Sequence, residues 1–181
     1  MRYLLLIILL PGLFSSADAQ KYITRDGYIS FFSSTPLEDI KADNNQVASV
    51  FDITTGEIAF QVLINSFRFE KALMQEHFNE NYMESEKYPR STFTGKITNI
   101  NSVDFTKNGK YDVTVEGDLT MRDVKKRVTA KGTVEVTSGS VIADSKFSVS
   151  PEEYGVKIPS VVRNNIAKII EVTVKMKYTP Q

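Results

Sequence analysis

The chain has 181 residues, and its 22 Lys and Arg balance 22 Asp and Glu, so the formal net charge is zero. That balance excludes the strongly basic surface a nucleic-acid partner needs. Cysteine is absent, which excludes disulfides, a thiolate nucleophile and Cys-based zinc or iron–sulfur sites, and the single histidine, His77, excludes a His-rich metal centre within one chain.

Met1-Arg2 makes a short positive start, and Tyr3 to Phe14 is almost wholly apolar. Ser15-Ser16-Ala17-Asp18-Ala19 then supplies small residues with an Ala-x-Ala site before Gln20. This is the pattern of a secretory signal peptide, expected to be cleaved near Ala19 and to place the chain in the periplasm or outside the cell. The apolar run falls short of the roughly 20 residues a membrane span needs, and no cysteine follows it to carry a lipoprotein anchor. Residues 20–181 are expected to form one domain that is stable through burial alone.

From there alternation of apolar and polar residues dominates, which is the signature of strands. Segments near Tyr22–Ser34 and Val47–Ile53 read as the first two, with Asp39 to Asn45 between them as a loose acidic loop that lacks calcium-loop spacing. Ile58, Phe60, Val62 and Ile64 form the next alternating face, and Thr92–Ile100 another strand. Tyr111 to Met121, Val128 to Val136, Val141 to Val149 and Ile166 to Tyr178 complete about eight. Asn108-Gly109 and Ser138-Gly139 read as tight turns, and Arg122 to Lys126 links two strands closely. Neighbouring strands joined by short turns are antiparallel. A sheet of that kind, apolar on one face, closes on itself or packs on a second sheet, and eight strands make a barrel just wide enough to fill with side chains or hold one small ligand.

One segment departs from the pattern. Between Arg68 and Met83, Phe69, Leu73 and His77 recur at steps of four, as do Met74, Phe78 and Tyr82. Together they predict one amphipathic helix, lying across an open end of the barrel. A shorter turn is expected at Ser150-Pro151-Glu152-Glu153, with Ser150 as cap, Pro151 at the first position and Gly155 ending it.

No catalytic constellation emerges. His77 lies on the apolar stripe, strand carboxylates alternate onto the solvent face, and Gly-rich phosphate loops are missing. A hydrolase would require an inward carboxylate near His77. The conspicuous feature is instead the load of large apolar residues Phe67, Phe69, Leu73, Met74, Phe78, Tyr82, Met83, Tyr88 and Phe93. Phe60, Val62, Val115, Leu119 and Phe147 join them from the inward strand faces. Two functions fit: these residues line a slot for a slender apolar ligand, to which Met adapts well, or they fill the barrel solidly and leave a structural or interaction module of the cell envelope. The Thr- and Lys-rich outer faces carry no large patch and are compatible with a homodimer.

Two stretches carry a resemblance. Phe78 to Phe93, following His77, resembles a family stretch in which a His-Leu pair leads to an aromatic pair, then Lys-Tyr-Pro and Thr-Phe, seen here as Lys87-Tyr88-Pro89 and Thr92-Phe93. Gly117-Asp118-Leu119-Thr120 through Val128 resembles a second, Gly-Asp-Leu-Thr with a short turn and Lys-Pro-Val. The family is the YceI-like proteins, secreted bacterial polyisoprenoid-binding proteins, and the resemblance spans about Gly27 to Lys177. It implies an all-β, eight-stranded antiparallel lipocalin-like barrel with one short helix near an open end. It also implies a periplasmic carrier, without cofactor or enzymatic activity, for an isoprenoid or other long-chain lipid such as an isoprenoid quinone-like molecule. By motif it assigns His77, Phe78, Tyr82, Met83, Tyr88, Phe93 and Leu119 to the neighbourhood of that ligand. Specificity is expected from lumen length and from polar groups at the mouth, for which His77 and Tyr82 are the candidates for head-group contact. Departures fall at Asp123, where the family turn has Gly, at Arg127, where Pro is common, and at Ser150 to Gly155, in place of Arg-Ser-Asp-Phe-Gly. Asp tolerates the left-handed backbone such a turn needs.

Overall fold

A strand with one apolar face has to bury it, and a long antiparallel sheet does so by curling until its edges meet. In the computed structural model, which describes residues 20–181, the strands are β1 (Lys21–Ser34), β2 (Asp39–Asp52), β3 (Glu57–Leu63), β4 (Arg68–Phe69), β5 (Arg90–Ile97), β6 (Gly109–Met121), β7 (Val124–Thr137), β8 (Ser140–Val149) and β9 (Ile170–Pro180). Around the barrel the order is β1-β9-β8-β7-β6-β5-β3-β2, and β2 returns to β1. Eight antiparallel strands therefore close the ring, while the two-residue β4 pairs alongside Ala42 and Asp43 of β2. Helix α1 (Ala72–His77) runs on into a π-helical turn, Phe78–Tyr82. No helix among the described residues is long and apolar enough to cross a membrane. The signal-peptide reading of residues 1–19 lies outside the described residues.

Several boundaries differ from the sequence expectation. Residues 39–45 are not a loop but the first half of β2, with Ala42 and Asn44 fully buried while Asp39 and Lys41 stay exposed. Asn44 is at ease there because its amide donates to the Leu63 carbonyl (3.0 Å) and accepts from the Gln46 N–H (2.8 Å). Asn108-Gly109 makes no hairpin. Residues 98–108 cross from β5 to β6 as a longer loop, held by Asn99, which accepts from the Thr114 N–H (2.9 Å) and donates to the Asp112 carbonyl (3.0 Å). The last strand begins at Ile170 rather than Ile166, since residues 160–165 wind into a 3-10 turn. The helix starts at Ala72, because Arg68 and Phe69 pair with β2. Ser150 makes no side-chain cap; its backbone carbonyl accepts from Glu153 N–H (3.1 Å) at the start of the turn Pro151–Tyr154, which Gly155 ends at φ 74°. The tight turn at Ser138-Gly139 holds as read, with Gly139 at φ 92°, while the link expected over Arg122 to Lys126 shortens to Arg122-Asp123, at φ 48° and 62°, because Val124, Lys125 and Lys126 already pair with β6. Two successive left-handed residues match the twist of the strands they connect.

The barrel interior divides into two unlike halves. Toward the end where β1 begins and β9 finishes, Phe51, Val134, Val141, Met176 and Tyr178 are almost completely buried and fill the lumen. Tyr178 packs on Phe51 with ring centres 5.6 Å apart, and its hydroxyl meets Ser49 Oγ at 2.8 Å, which in turn donates to the Ala59 carbonyl (2.9 Å). Burial pushes the Tyr178 phenol up to about 12.

Halfway along, Phe60 and Phe93 lie directly opposite each other on β3 and β5, stacked at 5.0 Å and 17°. The Phe93 ring lies over the paired Gly95 and Gly117, where side chains would collide: a Cβ on Gly117 would stand 2.5 Å from Phe93 Cζ and 2.6 Å from Gly95 Cα. Gly117→Ala should therefore cost about 1–3 kcal/mol, the range for overpacking a filled site, read as a lower urea midpoint with unchanged slope. Tyr178 gives a second prediction. Its neutral form is favoured in the fold, so its contribution is complete below the unfolded value near 10 and fades as pH rises through about 12. Wild-type stability should fall across that window more steeply than that of Tyr178→Phe, by up to about 2–3 kcal/mol in all. Parallel pH profiles would contradict this.

Candidate functional site

Beyond the Phe60–Phe93 stack the inward side chains no longer meet. They leave a cavity of about 480 Å³, against about 70 Å³ in the filled half. Five of the inward apolar residues of this end, Phe31, Phe60, Phe147, Val149 and Val172, are only half-buried, because they face the cavity instead of one another. Phe60 and Phe147 border both spaces and form its floor. Above lies the α1 segment, held down by an aromatic cluster: the Phe78 ring stacks on Phe31 (5.4 Å, 28°) and tilts against Phe67 (5.5 Å) and Phe69 (5.0 Å). The helix has no fully buried residue, since its apolar stripe roofs a hollow rather than packing into a core.

Of the residues singled out in the sequence, Phe60, Val62, Phe67, Phe69, Leu73, Met74, His77, Phe78, Tyr82, Met83, Leu119 and Phe147 line the cavity. Leu73 (60% exposed) and the exposed His77 stand at its opening rather than inside. Three others lie elsewhere. Phe93 is folded onto its glycines and, with Val115, borders the small pocket below the floor; Val115 is four residues further down β6 than Leu119, about 13 Å along a strand. Tyr88 lies outside, where Lys87 Nζ (4.9 Å) and the Arg122 guanidinium (5.2 Å) sit over its ring. The lining also includes residues the sequence did not flag, such as Phe31, Ser91, Val156 and Ile158. Phe31 was within reach, since Ile29, Phe31 and Ser33 alternate on β1. Val156 and Ile158 lie in an irregular loop, where no period marks a face.

The cavity is apolar but its edge is not. Glu38, in the β1–β2 turn, receives hydrogen bonds from Lys71 Nζ (3.4 Å) at the start of the helix and from Asn165 Nδ2 (3.1 Å) in the loop before β9. Ser33 Oγ accepts from the Ala167 N–H (2.9 Å) beside them. The opposite end of the roof is anchored by Arg122, whose side chain is 9% exposed: it donates to the Tyr82 carbonyl and, at 2.6 Å, to Glu84. The left-handed turn at Arg122-Asp123 is what presents the guanidinium to the helical segment. Burial raises the Tyr82 phenol above its ordinary value, so it stays a neutral donor. Glu38 is the one carboxylate in the lining among the described residues, and it is engaged by two partners. Among the described residues no group of three His, Cys, Asp or Glu side chains is placed to hold a metal ion. What the arrangement offers is an enclosed apolar volume with a hydrogen-bonded rim.

A family model described as the YceI-like domain matches residues 26–178. No curated protein matches the chain. Among solved structures the fold is similar to that of a polyisoprenoid-binding domain from Saccharophagus degradans, implicated in plant cell wall breakdown, with TM-score 0.77, 14% identity, and coverage of 91% of this chain and 100% of that one. BcnA of Burkholderia cenocepacia follows, with TM-score 0.69, 15% identity, and 84% and 96% coverage. The YCEI protein of Campylobacter jejuni gives 0.59, 14%, 77% and 84%. At these identities the likeness is one of fold.

The Arg122 anchor makes a local prediction. Arg122→Ala should speed amide exchange through residues 78–88 while the β2 amides keep their protection, and should lower stability by about 1.5–3 kcal/mol, the range for hydrogen bonds to a charged group. Uniform exchange changes, or none, would show that the roof is held by its aromatic cluster alone.

Proposed function

The chain belongs to the YceI-like domain family, and on that footing we propose that it is a periplasmic carrier that shelters the apolar tail of an isoprenoid or similar long-chain lipid in its barrel. The observation that carries this reading is the 480 Å³ apolar cavity standing above a solid floor. At the roughly 30 Å³ a water-sized group occupies in a liquid, it holds about 16 chain atoms, or three isoprene units. Each buried methylene contributes about 0.8 kcal/mol, so ten supply about 8 kcal/mol before ordering costs, which is near-micromolar affinity. A longer prenyl chain has to leave its remainder at or beyond the opening, because beyond Phe60 and Phe147 the lumen is filled by side chains down to about 70 Å³.

The mechanism is binding rather than catalysis: water is excluded, the tail is wrapped by Phe31, Phe67 and Phe78, and the roof opens by loosening from the Glu38 rim. Export through the amino-terminal segment supplies the compartment in this reading. The polyisoprenoid-binding domain with the same fold supports the choice of ligand class.

Two measurements test it. Mass spectrometry of organic extracts from protein purified out of its exported fraction should find a prenyl or other long-chain lipid; an extract free of lipid from protein that also fails to take up added lipid would favour an envelope module instead. Phe78→Asp should reduce uptake of a fluorescent prenyl probe at least tenfold, since the charge would be buried against the tail, while the β-sheet circular dichroism persists. Unchanged uptake would remove the cavity as the site.

A further inference from the structure

Exposed apolar side chains are not spread evenly over the molecule. Among the described residues six large ones are exposed, and five of them gather at the cavity end. Leu37 (68% exposed) lies in the β1–β2 turn, Leu73 in α1, and Val161 (89%) and Ile169 (59%) in the segment before β9. Phe32, on the outer wall, stands two residues from the end of β1. Of the six, only Val50 lies elsewhere, on the outer wall of the filled half. A single exposed leucine needs no explanation, but these tips border the opening. Leu73 lines the cavity itself, and Leu37, Val161 and Ile169 each adjoin a lining residue, Glu38, Val162 and Ile170 in turn. The bonds from Lys71 and Asn165 to Glu38, and from Ala167 to Ser33, tie the three segments together, so their tips form one rim.

Charge is arranged on the same rim. Residues 157–169 carry Lys157, Arg163 and Lys168 and no carboxylate. Arg163 pairs with Glu152 at 3.3 Å, while Lys157 and Lys168 are exposed and make no ion pair among the described residues. The rim carboxylates Glu38, Asp39 and Glu70 lie on the other two segments. Resting on the reading of this cavity as a lipid site, we propose that the rim docks on the surface of a lipid bilayer. Leu37, Leu73, Val161 and Ile169 enter the interfacial layer, and the cationic segment faces anionic headgroups. A protein partner or a second copy of the chain seated here would cap the opening. A bilayer both covers the apolar tips and holds the tails that the cavity takes. Tips that protrude from three separate segments also suit a fluid surface, which conforms to them.

The test is sedimentation with phosphatidylcholine vesicles and with mixed phosphatidylcholine–phosphatidylglycerol vesicles. Wild type should bind the mixed vesicles more tightly, and salt should reduce that preference. Lys157→Gln combined with Lys168→Gln should reduce it too. The triple substitution Leu37→Ser, Val161→Ser and Ile169→Ser should weaken binding to both vesicles by about tenfold or more. It should slow transfer of a fluorescent prenyl probe out of vesicles to match. Uptake of the same probe from cyclodextrin, which needs the cavity but no bilayer, should be unchanged. Val50→Ser should alter none of these. If the triple variant folds poorly, Val161→Ser alone, at the most exposed tip, should still weaken vesicle binding about threefold. Wild type that ignores both vesicles, or substituted rims that bind them as wild type does, would overturn the docking and leave the lipid site standing. So would a wild-type dimer in sedimentation equilibrium that the triple variant breaks. Failure of wild type to take the probe from cyclodextrin would overturn both.

Discussion

The close approach of Gly95 and Gly117 on adjacent strands sets the character of this molecule. With no Cβ on either residue, the Phe93 ring lies flat along the wall and stacks on Phe60, which with Phe147 borders both spaces and forms the floor between them. An eight-stranded barrel has only enough width for side chains or for one slender ligand. The floor lets one chain do both, each in its own half. Below it, large side chains meet and give the disulfide-free fold its core. Above it, the same inward alternation continues, but the residues face a void that only a roof makes useful.

That roof is tied differently at its two ends. Beneath Phe78 the attachment is aromatic and non-directional, which tolerates movement. At Arg122 it is a nearly buried charged contact to a backbone carbonyl and to Glu84, which fixes one point. Around Glu38 the bonds are longer and partly solvated, at 3.1 and 3.4 Å. Such exposed contacts hold little free energy each, so the Glu38 side is the edge that yields most readily. On the proposed carrier reading, the Arg122 side is the firm hinge and the Glu38 side the weak seam.

Most of the barrel was legible because its strands alternate with period two, and the turn at Arg122-Asp123 because Asp accepts the left-handed backbone. Where reading failed, a local cue pointed the wrong way. The charges at Asp39, Lys41 and Asp43 disguised a strand whose inward residues include a polar one, Asn44, satisfied by partners distant in sequence. Asn108-Gly109 has the composition of a tight turn, but Asn99 organises a longer loop around it. The cavity lining was readable on strands and helix, from Phe60 to Phe147. The hollow itself was not, since whether inward residues meet depends on where the glycines let an aromatic ring lie.

The most direct test of a barrel solid below and hollow above is where a bound chain makes contact. Nuclear Overhauser spectroscopy on protein saturated with a methyl-labelled 15-carbon isoprenoid should connect the chain to the rings of Phe31, Phe67 and Phe78, and leave Phe51 and Tyr178 untouched. Contacts to Phe51 or Tyr178, or to residues on the outer wall alone, would contradict it.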